Sequence, residues 1–148
     1  MIEAHSNLLW IGNAFDARDP RQLFDREIAA VVDLAYEELP AQLPRQLIYC
    51  RFPLLDGAGN EGPILLHALQ TVIGFLDSAT PTLVACSAGM SRSPTIATFA
   101  LAAMLKKPPE EIIQQIGKQT TLEVKPNFWT DVQNAFEQCK SQRSSHTN

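Results

Sequence analysis

Thr82-Leu83-Val84-Ala85-Cys86-Ser87-Ala88-Gly89-Met90-Ser91-Arg92-Ser93-Pro94-Thr95-Ile96-Ala97 is the stretch whose reading decides the fold. A short apolar run, Leu83-Val84-Ala85, delivers Cys86, and a tight loop of small residues follows. From Arg92-Ser93-Pro94 onward the sequence is apolar with helical character. That pattern is strand, loop, helix, with a thiol on the first loop residue and a guanidinium on the last. Pro94 suits the first helical turn, where a missing N–H costs nothing.

The spacing fits an oxyanion. Backbone N–H groups of a small loop entering a helix converge, and the unpaired donors of the helix N-terminus add to them. Gly89 gives such a loop the freedom to close. A cradle of this kind favours a thiolate over a thiol. Arg92 can hold two phosphate oxygens with its planar fork, which a lysine cannot do. The competing reading is a buried structural cysteine beside a surface arginine. The strand before, the glycine within and the Pro-started helix after argue against coincidence.

On these residues the sequence resembles a known family. Cys86-Ser87-Ala88-Gly89-Met90-Ser91-Arg92-Ser93 is similar to the C-x5-R signature of the cysteine-dependent protein phosphatases, and its AG-x-SRS form to the dual-specificity branch. The resemblance implies a cysteinyl-phosphate intermediate, with Cys86 as nucleophile and Arg92 as phosphate clamp. Ser87, Ala88, Gly89, Met90 and Ser91 would bind phosphate mainly through their amides. Ser93 resembles the family's hydroxyl that bonds the thiolate and helps it leave in the second step; helix N-capping is its alternative role. One departure stands out: the family usually has His immediately before the Cys, and here that residue is Ala85.

The departing oxygen needs a proton from a separate loop, on the side opposite the nucleophile. Asp56 follows a strand, sits on a glycine-rich turn (Gly57, Gly59, Gly62) and lies thirty positions before Cys86, as the family's general acid does. Glu61 is the reserve, and Asp33 and Asp77 are less well placed. An Asp before Gly is also a common turn pair. No metal or cofactor is expected, since His5, His67 and His146 are scattered.

The 148 residues suit one domain, expected over 1–140 with a flexible polar tail over 141–148. A 45% hydrophobic content is that of an ordinary globular chain, and the net charge of −4 argues against a nucleic-acid binder. Residues 1–15 lack the pattern of a secretion signal, and no apolar run reaches membrane-spanning length. Cys50, Cys86 and Cys139 are too few for a disulfide scaffold, so a reduced, cytoplasmic, monomeric protein is expected.

Leu8–Ile11, Ile28–Leu34 and Leu47–Cys50 read as strands, and Asp19-Pro20 opens a short helix with Leu23 and Phe24 inward. Glu37–Pro44 reads as a polar loop. Pro63 starts a helix with Leu65, Leu69, Val72 and Leu76 on one face and His67 on the other. The helix after Pro94 is apolar on nearly every side and should be central. Helices from Pro109 and Pro126 follow, and the last resembles the family's final helix, placing Asn127 near the site. Alternating strands and helices imply an α/β fold: a mostly parallel sheet of about four to five strands flanked by helices, as in the phosphotyrosine phosphatases. Cys139 reads as core. Cys50 ends a strand expected to neighbour that of Cys86; the resemblance to family members that protect the nucleophile with a second Cys implies a candidate redox partner, and a core residue is the alternative.

Members of the resembled family that act on inositol phospholipids usually carry basic residues between the Cys and the Arg, so by resemblance the neutral Ser87–Ser91 loop leans toward a phosphorylated protein or peptide as substrate, without nucleic acid or membrane. Phosphotyrosine, with phosphoserine and phosphothreonine open, is the expected group. The alternatives are a catalytically weak or silent phosphate-binding module, a phosphatase of a non-protein substrate, and a sulfurtransferase or arsenate reductase.

Overall fold

The computed structural model describes residues 1–145; residues 146–148, and with them His146, lie outside it. Its centre is a five-stranded sheet of β1 (Ile2–His5), β2 (Leu9–Gly12), β3 (Ala30–Ala35), β4 (Ile48–Leu54) and β5 (Thr82–Ala85), in the spatial order β1-β2-β5-β3-β4. All pairings are parallel except that of β1 with β2. The expected α/β sheet is therefore present, and β1 is an edge strand the sequence reading did not include.

The order follows from burial. β3 and β5 have no exposed residue, as strands covered on both faces require, and their Val, Leu and Ala runs supply it. Side chains alternate across β5: Val84, continued by Cys86, joins the larger core, while Leu83 and Ala85 join the smaller one. The larger core is closed by α3 (Gly62–Asp77), α4 (Arg92–Leu105), α5 (Pro109–Gly117) and α6 (Pro126–Ser145). Two short helices, α1 (Ala14–Ala17) and α2 (Pro20–Asp25), bring Ala17 and Leu23 to the smaller one.

α4 runs through the larger core with every residue from Arg92 to Ala102 buried. Phe99 anchors it, with its ring 4.7 Å from Trp129 and 5.2 Å from Phe136. Lys106 ends it in the left-handed conformation. α3 buries Leu65, Leu69, Val72 and Leu76 and leaves His67 exposed, as its periodicity requires.

Three local readings change. Phe24 is 45% exposed rather than inward, because α2 is too short to turn a second large side chain to the sheet. Residues 141–145, expected as tail, continue α6, held to α3 by Arg143–Asp77 at 3.1 Å and Gln70–Gln142 at 2.9 Å. β4 runs on past Cys50 to Leu54 and carries a bulge, since the register passes from Asp33↔Arg51 to Ala35↔Leu54. Pro53 lies inside the bulge on this edge strand, where a missing donor is tolerated.

Candidate active site

Parallel strands deliver their C-terminal ends to one edge, and ligands of such sheets bind there. Ala35, Leu54 and Cys86 meet at that edge, at the ends of β3, β4 and β5.

The loop from Cys86 to Ser91 closes against the backbone of β2. The Cys86 N–H donates to Gly12 O at 3.3 Å, and the Ala14 N–H to Ser87 O at 3.1 Å. Gly89 has φ +76°, and a Cβ there would lie 3.0 Å from Gly12 O, so only glycine fits. The far side of the loop is braced by the segment before α6: the Glu123 N–H donates to Met90 O at 2.9 Å and the Lys125 N–H to Ser91 Oγ at 3.2 Å.

The Cys86 sulfur is buried and receives the Gly89 N–H at 3.3 Å. Ser93 Oγ lies 3.2 Å from the sulfur and 3.4 Å from Gly12 O. A hydroxyl has one proton and can serve only one of these acceptors at a time. With a thiol the proton can go to Gly12 O; with a thiolate it turns to sulfur. Ser93 is not the N-cap of α4: that position belongs to Ser91, which makes no side-chain cap bond. The first turn of α4 thus keeps amides free of a side-chain cap at the mouth of the loop.

Arg92 is 4% exposed. Its Nη1 donates to Leu54 O at 2.7 Å and its Nη2 pairs with Glu37 Oε1 at 2.8 Å, while its buried Nε has no partner. Glu38 accepts from Ser87 Oγ at 2.8 Å and pairs with Arg18 at 3.0 Å. The Ser87 hydrogen bond, then Arg18, hold the Glu38 carboxyl below its ordinary value.

A cavity of about 200 Å³ is lined by Asp56, Cys86, Ser87, Ala88, Met90, Ser91 and Arg92, together with Glu37, Glu123 and Lys125. Cys86 and Arg92, on one loop, are thus brought to one cleft with Asp56, thirty positions earlier in the sequence. Asp56 is exposed, on a turn held by Asn60, whose side chain accepts from Leu55 N–H and donates to Leu55 O, both at 2.8 Å. Glu61 is the N-cap residue of α3 and does not line the cleft. Asp33 is buried and spent on Tyr49 and the Ala35 N–H, and Asp77 pairs with Arg143.

The reading of the sequence missed Glu37, Glu38, Glu123 and Lys125. Glu37 and Glu38 did carry a signal, as two acids one residue beyond a buried strand at the ligand edge. Asn127 is exposed and does not line the cleft; Glu123 and Lys125, just before it, do. Cys50 is not beside Cys86. β3 lies between their strands, with Val32 facing both Cys50 and Val84. Two strand spacings are about 10 Å, beyond the reach of a disulfide. All three cysteines are free, and burial pushes the thiols of Cys50 and Cys139 up. Ala85, in place of the family's histidine, is fully buried in the smaller core with Ala17 and Leu23.

Solved structures share this architecture. Human DUSP28 superposes with a TM-score of 0.82 at 21% identity, over 96% of this chain and 99% of its own. A mouse putative dual specificity phosphatase, crystallised with zinc tungstate, gives 0.80 at 21% identity, over 95% and 89%. In fold, the chain is a dual-specificity-phosphatase-like protein. Sequence similarity points the same way: human dual specificity protein phosphatase 15 is 35% identical over 94 residues, 61% of this chain and 30% of that protein. Its mouse counterpart is 30% identical over 112 residues, 73% of this chain and 46% of that protein. The chain thus spans less than half the length of these relatives. No protein-family model matches it. Among the described residues, no helix is long and apolar enough to cross a membrane.

Proposed function

We propose that the chain hydrolyses phosphate monoesters of phosphorylated proteins or peptides through a cysteinyl-phosphate intermediate. One observation carries the reading: the Cys86 sulfur and the Arg92 guanidinium sit at the two ends of one amide-rich loop, in a cleft that also holds Asp56.

The sulfur of Cys86 attacks phosphorus as thiolate, the ester P–O bond breaks, and Asp56 gives its proton to the departing oxygen. Arg92 and the loop amides hold the oxygens on which charge is concentrated. In the second step Asp56, now a carboxylate, takes a proton from water as that water attacks phosphorus. The S–P bond breaks and the thiolate leaves, steadied by the Ser93 hydroxyl and the Gly89 amide. No step calls for a metal or cofactor. A dual specificity phosphatase crystallised with tungstate, a phosphate-like oxyanion, has the same fold, which supports an oxyanion here.

The charges lining the cleft support a single phosphate on a peptide over a polyphosphorylated lipid. With Asp56 protonated, as the first step requires, Glu37 and Glu123 balance Arg92 and Lys125, so the cleft offers no surplus cation to a second phosphate. Hydrolysis of p-nitrophenyl phosphate, abolished in Cys86→Ser, tests the reading. Absence of turnover in the wild type, with tungstate still bound, would favour instead a silent phosphate-binding module, the reading that Ala85 in the histidine position supports.

A further inference from the structure

We propose that the cavity between the C-terminal ends of α4 and α6 and the start of α5 docks an acidic peptide segment of a partner protein, with one large apolar side chain of that segment seated on its floor. The proposal does not depend on turnover, because the cavity lies at the far end of α4 from the phosphate loop. The 14 residues of that helix span about 20 Å.

The cavity holds about 520 Å³, within the range of about 300–1,000 Å³ that ligand clefts occupy. Lys106, Lys107, Lys140 and Arg143 line it, four of the 12 lysines and arginines of a chain whose net charge is −4. Among the described residues, no carboxylate lines it. Its floor is apolar: Phe136 and Ala102 are buried, with Ala103 and Pro109 half-buried beside them. Lys140 Nζ lies 5.1 Å from the centre of the Phe136 ring, so a cation stands over that floor.

Helix ends bring these charges together. A cation near a helix C-terminus suits the macrodipole, which accounts for Lys106 on α4 and Arg143 on α6. It does not account for Lys107, beyond α4, or for Lys140, more than a turn before α6 ends. Nor does it account for the backbone of Lys106, whose φ of +55° lies in the region where helices most often end on glycine. The Lys106 and Lys107 N–H groups both donate to Ala102 O, the second at 3.4 Å, and so fix the two lysines beside the cavity. Among the described residues, neither lysine has an ion-pair partner. Lys140 pairs with Glu137 at 3.7 Å and Arg143 with Asp77 at 3.1 Å. All four of these side chains are about half exposed, so the pairs are weak and a ligand's carboxylates can replace them. A concave apolar floor ringed by cations complements an apolar side chain flanked by acids, where a bilayer would present a flat face.

Fluorescence polarisation of a labelled peptide of glutamates interrupted by adjacent leucine and tryptophan tests the proposal. Saturable binding is expected, and it should weaken as ionic strength rises from about 0.1 to 1 M. Replacing the glutamates by glutamine, or the two apolar residues by serine, should cost about tenfold in affinity. Lys106→Gly removes a charge and gives the left-handed position the residue that prefers it. Its melting temperature should therefore not fall, while its affinity should drop about threefold. Adding Lys107→Gln and Lys140→Gln should bring the loss to about tenfold or more. Should the triple variant not fold, Lys106→Gly decides alone. Wild-type affinity weaker than about 1 mM, equal affinity for either control peptide, or unchanged affinity in the variants overturns the proposal. Binding to phosphatidylserine vesicles in place of the peptide would overturn it and assign the surface to a membrane. Self-association lost in the triple variant, without peptide binding, would overturn it in favour of a second copy of this chain. A fall in p-nitrophenyl phosphate turnover parallel to the fall in affinity would place the peptide in the catalytic cleft and overturn it as well.

Discussion

Ser93→Ala separates the two chemical steps. The hydroxyl lies 3.2 Å from the Cys86 sulfur, and the Gly89 N–H at 3.3 Å is the other donor to that sulfur. A hydrogen bond to a charged group contributes about 1.5–3 kcal/mol, and sulfur, being large and diffuse, belongs at the lower end. At 1.36 kcal/mol per factor of ten, losing it should slow departure of the thiolate about tenfold or somewhat more. Attack by the thiolate should change little, because the same bond that stabilises the anion also blunts it. The expected result is therefore a fall in kcat with kcat/KM nearly constant. Stopped-flow mixing with p-nitrophenyl phosphate should then show a burst of nitrophenolate stoichiometric with enzyme. Folding should change by less than about 1 kcal/mol, because Gly12 O keeps the Cys86 N–H as donor at 3.3 Å. Equal losses in kcat and kcat/KM without a burst would refute the reasoning and place Ser93 in the first step.

Asp56→Asn should lower kcat/KM, which reports the first step alone, about a hundredfold on phenyl phosphate and far less on p-nitrophenyl phosphate, whose leaving group needs little protonation; equal losses in kcat/KM on the two would remove Asp56 as the acid. Phe99→Ala should cost about 3–5 kcal/mol in urea unfolding, since a fully buried ring that contacts Trp129 and Phe136 leaves a cavity behind. Tyr49 is pushed up to about 12, first by burial and then by its hydrogen bond to Asp33. Its contribution to stability is whole below the unfolded tyrosine value near 10 and should fade as pH rises from about 10 to 12; in a Tyr36→Phe variant, which leaves Tyr49 as the one tyrosine, an ultraviolet titration with a midpoint near 10 would contradict this. Ala85→His should destabilise by about 1–3 kcal/mol, because an imidazole overfills the smaller core. An unchanged melting temperature would show room for it.

What the sequence could tell was what local chemistry encodes. Leu83–Ala85, the small loop and Pro94 announce a strand, a turn and a helix through residues that are neighbours in the chain, and α3 shows its face through a regular apolar period. Ile2-Glu3-Ala4-His5 carried no such signal: it is a short edge strand that owes its form to pairing with β2. α1, from Ala14 to Ala17, is too brief for a period and depends on Asn13 and Asp16 capping each other. Strand order was also out of reach, and with it the true distance of Cys50 from Cys86. The walls of the cleft were hidden for the same reason. Glu37 and Lys125 lie far apart in sequence and meet the loop only because β3 ends, and α6 begins, beside it.

The extra residue in β4 has a consequence for how this protein could lose its function. Arg92 leans on a main-chain oxygen at position 54, and exchanging the leucine side chain leaves that oxygen in place. What would move it is a change in length. Deleting one residue between Arg51 and Leu54 would straighten the ribbon and draw the oxygen about 3 Å along the strand, out of the guanidinium's reach. Within this short segment, frame-preserving indels should damage anion capture more than side-chain substitutions do.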